Sequence, residues 1–102
     1  MEVGEKVLVL ITYDVATSTA GGSKRLRKVA KKCQDYGQRV QHSVFECVVD
    51  ATELVRLKKE LIDLIDENVD SLRFYQLGNR YKNKVEHLGA KESFNVEDPL
   101  IF

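Results

Sequence analysis

Val7, Leu8, Val9, Leu10 and Ile11 form an unbroken apolar run that closes on Thr12, Tyr13 and Asp14. A short run of this kind, rich in β-branched residues, predicts a central strand buried on both faces. Thr17 to Gly22 (TSTAGG) interrupts both strand and helix periods and predicts a loop. Ser23 is placed to cap the next helix through its hydroxyl. Leu26, Val29, Ala30 and Cys33 then recur three and four residues apart, which is one apolar stripe of a helix. Tyr36-Gly37 is expected to end it, with glycine taking the left-handed conformation of a C-cap.

Arg39 to Val49 alternates as a strand with a break near His42-Ser43. Val40 and His42 share a face before the break, and Phe45, Cys47 and Val49 share one after it. A short hairpin reconciles the two halves, and a bulged single strand is the alternative. Asp50 and Glu53 make a D-x-x-E capping box for a second helix, whose stripe is Leu54, Leu57, Leu61, Leu64 and Ile65. Ser71 to Leu77 predicts a last strand, with Leu72 and Phe74 on one face and Arg73 and Tyr75 on the other. The order β-α-β-β-α-β predicts an α+β, ferredoxin-like domain: four antiparallel strands with two helices on one face. That leaves the other sheet face bare, so Tyr75 and its neighbours are expected to lie against a second protomer. Residues 1–78 would form the domain. Residues 79–102 would be a C-terminal segment, with a short strand at Lys84 to Leu88 and an apolar tail, Asp98 to Phe102, packed on a partner.

Length adds one constraint: 102 residues hold one core. No run is long and apolar enough to cross a membrane. The acidic start, Met1 to Lys6, lacks the order of a secretory signal, so a cytoplasmic location is expected. Cys33 and Cys47 are too few and too far apart for a disulfide scaffold or zinc site, and are read as small buried hydrophobes. His42 and His87 are read as polar surface or interface residues. The formal net charge is +0, but its distribution is uneven. Lys24, Arg25, Arg27, Lys28, Lys31, Lys32 and Arg39 cluster, while Asp50, Glu53, Glu60, Asp63, Asp66, Glu67 and Asp70 crowd the next segment. The first cluster is either a directed electrostatic surface or a solvated helix face. The second is a candidate contact for a basic partner.

Asp14 is the carboxylate that stands apart, because it terminates an apolar strand at the rim of the core. Such a group needs a cation or several donors. It either accepts the backbone amides of the following loop or holds a metal. Mg2+ is typically bound by one or two carboxylates, with water and phosphate oxygens completing the shell. One chain offers one such acid, and a two-fold dimer would offer two.

The block LVLITYDV, the stretch GGSKRLRKVAKKCQDYGQRVQHSVFECVVD, and the later SLRFYQLGNRYKNKVEHLGAKESF and EDPLIF closely resemble the CRISPR-associated protein 2 family, in particular its subtype I-C branch. The resemblance covers all but the first few residues. It implies a homodimer of ferredoxin-like domains in which the last strand of each protomer joins the partner's sheet. It places Asp14 at the dimer interface as the ligand of Mg2+ or Mn2+, with Tyr13, Ser43 and Phe45 as further catalytic positions around it. It assigns Lys24, Arg25, Arg27 and Arg39 to nucleic acid, and Lys28 and Lys31 of the same charge cluster are expected to join them. Lys24 stands where many members carry arginine, which keeps the charge but loses the planar fork for phosphate.

Two functions follow from the resemblance. One is a metal-dependent endonuclease acting on double-stranded DNA or single-stranded RNA. The other is a non-catalytic adaptor in spacer acquisition that bridges the CRISPR integrase subunits along duplex DNA. The two are compatible.

Overall fold

A computed structural model of the chain describes residues 4–89. The elements are β1 (Val7–Asp14), α1 (Gly22–Gln34), β2 (Gly37–Gln41), β3 (Val44–Val49), α2 (Ala51–Leu64) and β4 (Ser71–Gly78). The four strands form one antiparallel sheet in the order β2-β3-β1-β4. This is the split β-α-β arrangement expected of a ferredoxin-like domain.

The core lies between the helices and one sheet face. Val9, Ile11 and Tyr13 of β1 meet Phe45, Cys47 and Val49 of β3 beneath Leu26, Val29, Ala30 and Cys33 of α1 and Leu54, Leu57 and Leu61 of α2. Both cysteines are buried free thiols, and the Cys47 Sγ donates to the Cys33 carbonyl at 3.4 Å. The neighbouring thiol and burial push the Cys33 thiol far up, so it stays protonated and inert. Leu72 and Phe74 pack on the core from β4, while Tyr75 on the other face is 42% exposed.

The break at His42-Ser43 is a hairpin turn, with a register shift between Arg39 and Gln41. The capping box of α2 forms in full: Asp50 accepts from the Glu53 amide at 2.8 Å, and Glu53 accepts from the Asp50 amide at 2.9 Å.

Two glycine-linked expectations are corrected. The N-cap of α1 is Gly21 at φ +82°, with no side-chain cap, so Ser23 lies inside the first turn. Gly37 is not a left-handed C-cap but the first residue of β2. It is required because β3 passes against it: a Cβ there would meet the Glu46 carbonyl oxygen at 1.9 Å and the Cys47 Cα at 2.6 Å. Beyond β4, Tyr81 is buried, and Lys84 folds back to donate to the Leu77 carbonyl at 2.6 Å. Within the single chain, residues 84–88 carry no strand. The tail Asp98 to Phe102 lies outside the described residues.

Because backbone atoms, not a movable side chain, oppose a larger residue at position 37, Gly37→Ala is predicted to destabilise the domain by at least about 2 kcal/mol. A urea unfolding curve with an unchanged midpoint would contradict this packing.

Candidate functional site

The chemistry-bearing residues collect where β1 ends. Successive side chains of a strand alternate faces. Tyr13 therefore points into the core, while Thr12 and Asp14 point to the face without helices. Asp14 is exposed and paired in register with Ser71. The Tyr13 amide donates to the Ser43 carbonyl at 2.9 Å, which draws the β2–β3 turn against the end of β1. An open cleft of about 380 Å³ results, lined by Thr12, Asp14, Val15, Thr17, His42 and Ser43, with Tyr13 in its wall.

The loop amide that Asp14 was placed to satisfy is taken by another acid. The Ala16 amide donates to Asp70 at 2.9 Å. Among the described residues, the Asp14 carboxylate makes no hydrogen bond or ion pair. Asp70 has a fully buried side chain. It also accepts from the Tyr13 hydroxyl at 2.5 Å, from Arg25 Nε at 2.8 Å and Nη2 at 3.2 Å, and from the Asp66 amide at 3.1 Å. Burial alone would raise the Asp70 pKa. The Arg25 guanidinium, the Tyr13 hydroxyl and the two amides outweigh it and hold the carboxyl well below the usual carboxylate range. Tyr13 responds oppositely: burial, then its bond to Asp70, push the phenol up to about 12. At neutral pH Tyr13 is thus a neutral donor with its proton directed into the protein.

The basic residues divide. Lys24, Arg27, Lys28 and Lys31 are all exposed. Their spacing puts them on one face of α1, which contains no Asp or Glu. Arg25, expected on that surface, turns inward to Asp70, and its Nη1 donates to the Ala20 carbonyl at 3.1 Å. Its pKa is raised by the bond to Asp70. Lys32 lies 3.5 Å from Glu60. Arg39 donates to the His42 carbonyl at 2.8 Å and stacks over Phe45 at 5.9 Å. Phe45 itself is fully buried, so it supports the turn and core and does not line the cleft. Part of the acidic run is engaged within the chain: Asp50 and Glu53 cap α2, Glu53 bonds Lys6, Glu60 faces Lys32, and Asp70 is buried, while Asp63 and Glu67 are exposed.

Among the described residues no three His, Cys, Asp or Glu side chains come together. A closed protein cage for a metal is therefore not the fit to test. A single exposed carboxylate beside hydroxyl-bearing residues in an open cleft suits Mg2+, which keeps most of its water and takes few protein ligands. Asp14 meets that requirement.

Residues 7–85 match the profile of the family described as CRISPR associated protein Cas2. The chain belongs to the Cas2 family. It is 72% identical over 96 residues to the CRISPR-associated endonuclease Cas2 of Halalkalibacterium halodurans, covering 94% of this chain and 100% of that one. It is 56% identical over 97 residues to the CRISPR-associated endoribonuclease Cas2 of Nitratidesulfovibrio vulgaris, covering 95% of each. The crystal structure of Streptococcus pyogenes Cas2 at pH 6.5 superposes with a TM-score of 0.74 at 58% identity, over 80% of this chain and 99% of that one.

Asp70 escaped the sequence reading because it closes an acidic run and looks like one more solvated charge. Its signal was positional: it directly precedes Ser71, the first residue of the last strand, where a side chain can reach back under the sheet.

The folded-state pKa of Asp70 is depressed, so its stabilisation is full above the unfolded value of about 4 and is lost as pH falls through the folded one. The thermal midpoint of the wild type should exceed that of Asp70→Asn at pH 7, and the gap should narrow steadily below about pH 4. A gap independent of pH from 7 to 2 would contradict the ionised network. Arg25→Ala, which leaves Asp70 buried without its cation, should lower the midpoint at pH 7 by more than about 5 °C.

Proposed function

We propose that this Cas2 family chain acts as a homodimer that binds nucleic acid and cleaves phosphodiester bonds with Mg2+ or Mn2+ held between two copies of Asp14. The observation that carries this reading is the unpaired, exposed Asp14 carboxylate at the rim of the cleft, left free because Asp70 satisfies the adjoining loop. The names of the relatives from H. halodurans and N. vulgaris, an endonuclease and an endoribonuclease, support the reaction class.

The sheet face that carries Asp14 has no helix over it and shows Leu10, Val44 and Val48 only half-buried beside Tyr75. A second copy laid on that face would cover them and bring two acids to one axis. Strand-like pairing of residues 84–88 with an edge of the partner's sheet belongs to the same proposal. When bound, the metal polarises a phosphodiester and makes a nearby water a better nucleophile. Asp14 holds the ion. Thr12, Thr17 and Ser43 offer hydroxyls to phosphate or water. Tyr13 and Phe45 serve from within the core, by fixing the strand and turn that form the cleft.

A second reading rests on its own observation. The stripe Lys24, Arg27, Lys28 and Lys31 is free of acids and suits phosphate contacts that position a duplex without reading its bases. On this reading the dimer is a DNA-bridging adaptor for the CRISPR integrase subunit, and cleavage is secondary.

One experiment separates them: cleavage of linear duplex DNA and of single-stranded RNA, with Mg2+ or EDTA, with binding scored in the same samples. The nuclease reading expects cutting that EDTA abolishes and that Asp14→Ala lowers by more than about 100-fold with binding retained. Binding without metal-dependent cutting would leave only the adaptor. For either reading, Lys28→Ala with Lys31→Ala should weaken duplex binding and reduce its salt slope by about two for each protomer whose stripe touches the duplex, one for each lost phosphate contact. An unchanged slope would remove the stripe from the interface.

A further inference from the structure

We infer that Asp70 is the positioning residue of the Asp14 metal site. This inference rests on the metal-site reading above. Tyr13 stands immediately before Asp14, and its hydroxyl donates to Asp70 at 2.5 Å. Ala16 stands two residues after, and its amide donates to the same carboxylate at 2.9 Å. Ser71, next to Asp70 in sequence, is the ladder partner of Asp14. One buried carboxylate thus grips the chain on both sides of Asp14, and its own backbone leads directly into the pairing opposite it.

The grip has two consequences for the metal ligand. It sets the path on which β1 leaves the sheet, and hence the direction of the Asp14 side chain. It also occupies the Ala16 amide, a donor that would otherwise compete with a cation for Asp14. Arg25 supplies the compensating charge, with Nε and Nη2 on the two carboxylate oxygens, so the grip can stay ionised while buried. Precise holding of a ligand by groups behind it is what metal affinity requires.

The test is Mn2+ binding by the full-length folded protein, followed by electron paramagnetic resonance titration, with no nucleic acid present. The variants are Asp14→Ala, Asp70→Asn and Tyr13→Phe. Asp70→Asn keeps the shape but loses the charge that holds Arg25. Tyr13→Phe removes one arm and keeps the ring in the core, so it answers for the case in which Asp70→Asn fails to fold. The wild type should bind Mn2+ through a site that Asp14→Ala removes. Either of the other variants, folded by circular dichroism, should bind at least about tenfold more weakly. A lower thermal midpoint with wild-type Mn2+ affinity in both folded variants would show Asp70 to be structural only and would overturn the inference. Absence of any Asp14-dependent Mn2+ binding in the wild type is a different result. It would overturn the metal-site reading itself, and the positioning role with it.

Discussion

The carboxylate of Asp70 is the constraint on which the working end of this domain depends. It is fully buried, yet it remains charged because five hydrogen bonds from four residues converge on it. Those donors come from the end of β1, the loop that follows, the first turns of α1, and the turn before β4. No hydrophobic contact could specify that meeting so narrowly, since apolar packing is non-directional. The ionised form matters because a neutral acid would leave the Arg25 guanidinium unmatched and would offer fewer acceptors to the same donors.

The network also divides labour among residues that look equivalent in a list. Tyr13 and Asp14 are adjacent, but strand alternation sends one into the core and the other to the open face. Tyr13 is a strut, and Asp14 is available. Arg25 and Lys24 are likewise adjacent on α1, and the helical turn sends one to Asp70 and leaves the other in water. Charge counted along the chain therefore overstates the cationic surface by the residue that is consumed internally. It overstates the acidic surface as well, since capping takes Asp50 and Glu53 and burial takes Asp70.

The fold was largely legible because it is written in periodicity. The apolar run of β1, the stripes of α1 and α2, and the Asp50–Glu53 box are local patterns, and each forms where the pattern places it. What was not legible depends on non-local contact. Gly37 looks like a helix stop, but its reason is the passage of Glu46 and Cys47 against its Cα, nine and ten residues further along the chain. Ser23 looks like a cap, yet Gly21 takes that position because the loop enters the helix through a left-handed residue. In the site, Asp14 stood out through its place at a strand end, and Ser43 through the family resemblance. Asp70 did not, because its partners Tyr13 and Arg25 lie 57 and 45 residues away.

One acid per chain can suffice for such a site. A metal that keeps its water needs little from the protein beyond charge placed without competition. Here one competitor is removed in advance: the amide of Ala16, two residues after Asp14, is taken by the buried acid that Arg25 also pairs with. The free cations of α1 begin at Lys24, at the end of the helix joined by a short loop to β1, and continue for about 10 Å to Lys31. Arg25 anchors the start of that stripe to Asp70 and so to the strand that carries Asp14. On the proposed reading, a backbone lying on the stripe is held at a fixed distance from the cleft by the same interaction that leaves Asp14 unpaired. Binding surface and metal ligand are then coupled through Asp70, although neither Asp14 nor the lysines touch it.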